Sequence, residues 1–101
     1  MTKTPLKLVI HAADEASLAR ARSNAANFLA ADETGQVEIV VNAGAVTAAI
    51  AQPHATDTHL RVCANTLRNK AIEAPTHLTQ VPAAVVHIAE RQRDGWAYMR
   101  A

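Results

Sequence analysis

The sequence predicts an α/β fold with a five-stranded, mainly parallel sheet and helices on both of its faces. Two observations predict it. Short apolar runs rich in β-branched residues alternate four times with helical stretches before a closing strand. The chain has 101 residues, 50% of them hydrophobic, which is enough for one core and one domain spanning residues 1–101.

The first half of the chain predicts two strands, each followed by a helix. Residues 6–11 form an apolar run typical of a buried parallel strand, and residues 37–42 are the richest in β-branched residues. Asp14 is suited to cap the first helix, and residues 32–36 end it. The second helix covers residues 45–51. The apolar stripe of the first helix consists of Leu18, Ala21, Ala25, Phe28 and Leu29.

The second half repeats this alternation after a polar loop at residues 52–58. Residues 60–63 and 78–81 predict the third and fourth strands. Residues 65–70 predict one or two helical turns, and residues 83–93 a longer helix that Gly95 closes. A final strand follows at residues 96–100, where the side chains alternate between two faces.

Composition and charge argue against several classes of function. The formal net charge is +1, and the basic residues form no dense stripe with aromatics among them, so we expect no direct nucleic-acid binding. No apolar stretch is long enough for a membrane span, and residues 6–10 are too short for a signal-peptide core. The single cysteine excludes an internal disulfide and a CxxC pair. We therefore expect a cytoplasmic protein.

Three polar or reactive side chains close three of the predicted strands: His11, Asn42 and Cys63. In parallel sheets with helices on both faces, functional groups gather beyond the carboxyl ends of the strands. Cys63 also precedes a predicted helix, whose free N–H groups favour a thiolate. The sequence therefore places a candidate site at this edge of the sheet, with Cys63 at its centre.

Each candidate also has a structural interpretation. Cys63 is either a reactive thiol or an inert, buried small hydrophobe. His11 is either a general acid or base beside it or a hydrogen-bonded structural residue. Asn42 either donates its amide to a bound anion or shapes a turn. Asn65 and Thr66 either bind a ligand or cap the short helix.

The other histidines carry weaker signals. His54 and His59 flank Asp57 in the loop without regular metal-ligand spacing, so we expect no metal site. His77 is expected in a solvated loop, and His87 on the exposed side of the last helix. The three glycines form no phosphate-binding motif, so we expect no cofactor.

Three segments carry a resemblance to a known family. Residues 61–67 (RVCANTL) resemble the cysteine motif V-C-x-N-T-L of small DsrE/DsrF-like proteins, which include the YchN-like sulfur-relay proteins. Residues 81–99 resemble the family's closing helix and strand, and residues 40–46 its second strand and loop. Ala84 departs from the pattern because it stands where the family has a glycine.

This resemblance implies a three-layer α/β/α fold of Rossmann or flavodoxin-like type and a homo-oligomer, a trimer or a hexamer. It also implies a sulfur carrier or sulfurtransferase that holds a persulfide on Cys63 and exchanges sulfur with a rhodanese-like or TusA-like carrier. The alternative is a non-catalytic oligomeric module that binds a small anion or a partner at the strand ends. The cysteine motif favours the first, and the lack of a second catalytic signature keeps the second open.

Overall fold

The computed structural model describes residues 4–101, so the first three residues of the predicted domain lie outside the described residues. In this range the chain forms five strands, four α-helices and one 3₁₀ helix. They are β1 (Lys7–Ala12), α1 (Glu15–Ala31), β2 (Gln36–Val41), α2 (Gly44–Ala51), the 3₁₀ helix (Ala55–His59), β3 (Leu60–Cys63), α3 (Ala64–Lys70), β4 (Thr79–Val81), α4 (Ala84–Arg93) and β5 (Ala97–Arg100).

The strands form one sheet in the order β4-β3-β2-β1-β5, and every neighbouring pair is parallel. The chain steps outward from β1 to β4, and α4 then carries it back across the sheet to place β5 beside β1. This arrangement confirms the predicted α/β class. The sheet was predicted to be mainly parallel, and all of its described strands are parallel. All carboxyl ends of the strands therefore lie along one edge of the sheet.

Helix α1 begins where the sequence predicts, for a local reason. The Asp14 carboxylate accepts the Ser17 backbone N–H at 2.7 Å, and the Ser17 hydroxyl accepts the Asp14 N–H at 3.1 Å. This reciprocal capping satisfies N–H groups that the first turn leaves free. Leu18, Ala21 and Ala25 of the predicted stripe are buried against the sheet.

Two apolar clusters fill the space on either side of the sheet. The larger contains buried residues of α1, α2 and α3 together with Ile10, Ile39 and Val62 of the strands. The smaller lies under α4 and contains Val9, Val40 and Cys63 with Ala84 and Ile88. The three-layer architecture follows, with α1, α2 and α3 on one face of the sheet and α4 on the other.

The predicted loop at residues 52–58 is wrong in one respect, because a 3₁₀ helix occupies Ala55–His59. His54 and Asp57 cap its first turn, since the ring of His54 accepts the Thr56 N–H and Asp57 accepts the His54 N–H. The remaining predicted boundaries differ from the observed ones by at most one residue. Such shifts are normal at the ends of helices and strands.

Candidate functional site

Cys63 is the last residue of β3 and the N-cap of α3, as the sequence predicts for the end of the third strand. It is 5% exposed and belongs to the cluster beneath α4. Strands β3 and β4 are neighbours, and each leads directly into a helix. The thiol therefore lies where α3 and α4 both begin.

Hydrogen-bond donors from both helices surround the sulfur of Cys63. The Ala84 N–H, at the start of α4, points at Sγ with N and S 3.4 Å apart. Burial raises the pKa of the Cys63 thiol, but hydrogen bonds from the backbone N–H of Ala84, from the N–H and hydroxyl of Thr66 and from the N–H of Asn65 lower it by more. The net pKa lies below the ordinary value, so the site favours the thiolate.

A strained backbone segment orients Thr66 beside the cysteine. The Thr66 hydroxyl oxygen accepts the Ala43 N–H at 3.1 Å, which leaves the hydroxyl hydrogen free for the sulfur. Ala43 has φ 48° and ψ −134°, a conformation that side-chain-bearing residues rarely adopt. Strain of this kind persists only where surrounding contacts hold it, and it clusters at functional sites.

His11 and Asn42 lie on the same face of the sheet as Cys63, and they bind each other. His11 Nε2 and Asn42 Oδ1 are 2.9 Å apart. Strand β2 separates β1 from β3, and the register places Arg61, two residues before Cys63, level with His11. The backbones of His11 and Cys63 are therefore farther apart than two strand spacings, which is about 10 Å. The structure thus brings His11 to Asn42, and it leaves an intervening strand between His11 and the sulfur.

Asn65 and Thr66 do not cap α3 with their side chains, so that interpretation is wrong. Helix α3 begins one residue earlier than predicted, at Ala64, and Cys63 occupies the N-cap. The Asn65 side chain is exposed and accepts a hydrogen bond from Arg68. Only its backbone N–H acts on the cysteine.

A buried charge cluster under α4 was not predicted. Glu38 of β2 is 4% exposed, and its carboxylate accepts His87 Nε2 at 2.7 Å and the Nε and Nη2 of Arg91, each at 2.9 Å. Arg61 Nη2 lies 3.4 Å away, and the Arg91 guanidinium stacks 4.9 Å from the centre of the Trp96 ring. The expected exposed position of His87 is therefore wrong, because its side chain is 12% exposed.

The signal that could have revealed this cluster is Glu38 itself. It interrupts the most β-branched strand of the sequence, and a charge in a buried strand requires partners. Its partners lie 23 to 53 residues further along the chain, so sequence spacing alone does not name them.

Three further structural findings concern metal binding, membrane spans and open surface. Within residues 4–101, no group of three or more His, Cys, Asp or Glu side chains is arranged to hold a metal ion. No helix in the same range has the length and apolar character needed to cross a membrane. A groove of about 610 Å³ follows α3 and reaches Ala64, the residue after the cysteine.

Comparison with known proteins identifies a shared fold. Neither a family model nor a curated protein matches the chain. Among solved structures, the chain is similar to the protein of unknown function MTH1491 from Methanobacterium thermoautotrophicum, with a TM-score of 0.80 and 24% sequence identity. The match covers 95% of this chain and 99% of that one. Likeness at this identity shows the three-layer fold alone.

Proposed function

We propose that the protein is a sulfur carrier that holds a persulfide on Cys63. The observation that supports it most strongly is the set of N–H and O–H donors around Sγ, from Ala84, Asn65 and Thr66, which lowers the pKa of the thiol. The same donors can stabilise the negative charge of a bound persulfide. The resemblance of residues 61–67 to the DsrE/DsrF-like cysteine motif supports the same role.

Sulfur transfer at this site needs one cysteine and no change in total oxidation state. The Cys63 thiolate attacks the outer sulfur of a persulfide on a donor protein, and a new S–S bond forms on Cys63. The S–S bond of the donor breaks, and the donor cysteine leaves as a thiolate. The persulfide on Cys63 is later passed to an acceptor thiolate by the same exchange, so no second cysteine in the chain is required.

The test combines alkylation and sulfur uptake. We expect the alkylation rate of Cys63 to follow a pKa below the ordinary value of about 8.5, and incubation with a persulfidated rhodanese to add one sulfur atom by mass spectrometry. Thr66→Val removes the hydroxyl and should raise that pKa, whereas Thr66→Ser keeps the hydroxyl and should leave it near the wild-type value. An unshifted alkylation pKa together with no uptake from any donor would refute the carrier role.

We also propose that the carrier works as a homo-oligomer, a trimer or a hexamer, joined through the α4 layer. Val85 and Val86 of α4 are 68% and 53% exposed, and Tyr98 of β5 is 42% exposed. Tyr98 pairs with Val9, so it lies on the α4 side of the sheet, which a single helix covers. Exposed apolar side chains on one layer are typical of a protein interface.

Light scattering over a dilution series tests this assembly. We expect oligomers at tens of micromolar, on the order of weak association, and a shift to monomers in Val86→Asp, which places a charge in the interface. Ala30→Asp, on the exposed side of α1, is the control and should leave the mass unchanged. A wild-type monomer at that concentration would contradict the proposal.

The proposed donors and acceptors are rhodanese-like or TusA-like carriers in the cytoplasm, where thiols stay reduced. Membranes and nucleic acids are not among the proposed partners. The start of α4 places Val85 next to Ala84, so the proposed interface borders the sulfur site. Neighbouring subunits can therefore shape the path by which a donor reaches the buried thiol.

One observation favours a second candidate function, a non-catalytic oligomeric module that binds a small anion or a partner at the strand ends. Cys63 is 5% exposed, which is typical of an inert cysteine. In that case Asn42 and Thr66 would contact the ligand. The alkylation test separates the two functions, because a binding module has no need of a reactive thiol.

A further inference from the structure

A second polar cluster lies on the opposite face of the sheet, between α1 and the 3₁₀ helix. The Arg22 guanidinium donates through Nη2 to Asp57 Oδ1 at 3.2 Å, and both side chains are less than 10% exposed. Asp57 Oδ2 accepts the His54 N–H and lies 3.2 Å from His77 Nε2. The acceptors of Asp57 are therefore committed to three neighbours.

One donor of this cluster has no acceptor. Arg22 is 6% exposed, and its Nε–H is buried without a hydrogen-bond partner among residues 4–101. Buried donors in folded proteins nearly always have a partner, because an unpaired one carries its full desolvation cost. The chain therefore supplies no acceptor for this Nε–H, and the acceptor must come from water or from a bound ligand.

Arg22 lines a cavity of about 290 Å³, which it shares with Ala19, Ser23, Ala26, Gln52 and His54. The two alanines give the cavity small walls, and the other side chains offer hydrogen-bond donors. In this part of the described chain, none of the six lining residues is acidic. The lining therefore suits a ligand that brings several acceptor oxygens.

The hydrogen bonds of His54 add a further donor. Its Nδ1 accepts the Thr56 backbone N–H at 3.1 Å, so in the neutral ring Nδ1 carries no hydrogen. The hydrogen then resides on Nε2, which becomes a donor. His54 is exposed, so this donor is available at the cavity.

We propose that this cavity binds a small oxyanion, a carboxylate or a phosphate, with one oxygen on the Nε–H of Arg22, which the oxyanion reaches when the side chains that cover Nε move aside. Gln52, Ser23 and His54 supply the remaining donors. Asp57 offsets the charge of the guanidinium through Nη2, so we expect weak binding, with a Kd of about 1 mM. The site is separate from Cys63, because Cys63 lies under α4 and Arg22 belongs to the layer of α1.

The experiment follows the ¹⁵N resonance of the Arg22 Nε–H while acetate or phosphate is added to the full chain, with sodium chloride at equal ionic strength as the reference. We expect a saturable shift with acetate, with phosphate or with both, which identifies the oxyanion, and no saturable shift with chloride. Truncation of Arg22 would break a buried ion pair, so the variants are made at an exposed lining residue.

Gln52→Glu places a carboxylate in the lining and should weaken binding at least about tenfold, equal to 1.4 kcal/mol. Gln92→Glu makes the same charge change on the exposed surface of α4 and should leave the midpoint unchanged. Two results would overturn the proposal. One is no saturable shift with either oxyanion up to about 50 mM, far above the expected midpoint. The other is equal weakening in both variants.

Discussion

Replacing Glu38 by glutamine is expected to lower the free energy of unfolding by about 1.5–3 kcal/mol, the range for hydrogen bonds to a charged group. The variant keeps the size of the side chain, but it removes the carboxylate that accepts two hydrogen bonds from the half-buried guanidinium of Arg91. His87 and Arg61 lose the same partner. The effect is large because Glu38 joins α4 to the centre of the sheet.

The loss should depend on pH in a defined direction. Burial raises the pKa of Glu38. Hydrogen bonds from Arg91 and His87, together with the charges of Arg61 and Arg91, lower it by more, so the net pKa lies below the ordinary value. A lowered carboxyl pKa stabilises the fold above the unfolded value of about 4.3. That stabilisation disappears as pH falls through the folded pKa, so wild type and Glu38→Gln should converge in acid.

Urea unfolding at neutral and acidic pH measures both effects. Asp94→Asn is the control, because it breaks the exposed Arg93–Asp94 pair and should change stability by less than about 0.5 kcal/mol. A loss below about 1 kcal/mol in Glu38→Gln at neutral pH would show that the cluster does not hold α4 in place.

The elements that the sequence predicts well are those whose signals are local. Helix α1 has its cap, Asp14, and its apolar stripe within a few residues of each other, and the structure contains both. The alternation of buried strands and helices fixes the layers, because each amphipathic element must bury one face. The predicted position of Cys63 at the end of β3 is confirmed for the same reason.

The features that the sequence does not predict depend on distant partners. The 3₁₀ helix at Ala55–His59 lies in a polar segment with no apolar period, and Asp57 within it binds Arg22, 35 residues away. Glu38 likewise meets Arg91 only because α4 crosses back over β2. Contacts of this kind follow from the topology of the sheet, which spacing along the chain does not give.

The candidate site shows both cases. The rule that strand ends gather at one edge places His11, Asn42 and Cys63 on one side of the molecule, and the structure adds the 2.9 Å contact between the first two. The donor from Ala84 to the sulfur was not foreseen, because it belongs to α4 and is a backbone group. The N–H groups of α3 were predicted from the position of Cys63 before a helix, but the approach of α4 to the sulfur depends on the sheet topology and appears only in the structure.

The second large effect concerns the rate of sulfur uptake, on which substitutions of Cys63 and His11 should act very differently. Cys63→Ser should abolish uptake, because the hydroxyl cannot form a persulfide, whereas His11→Ala should slow it less than about tenfold. A residue that directly exchanges a proton at the reacting atom typically contributes a hundredfold or more. His11 contacts Asn42, and one strand lies between it and Cys63.

Mass spectrometry over a time course, with a persulfidated rhodanese as donor, compares the two variants with wild type. His59→Ala is the matched histidine control, since His59 precedes β3 at its amino end, opposite the sulfur, and should leave the rate unchanged. The donors to Sγ come from Ala84, Asn65 and Thr66, so the thiolate forms without a histidine base. A hundredfold loss in His11→Ala would contradict this and make His11 the base that deprotonates Cys63.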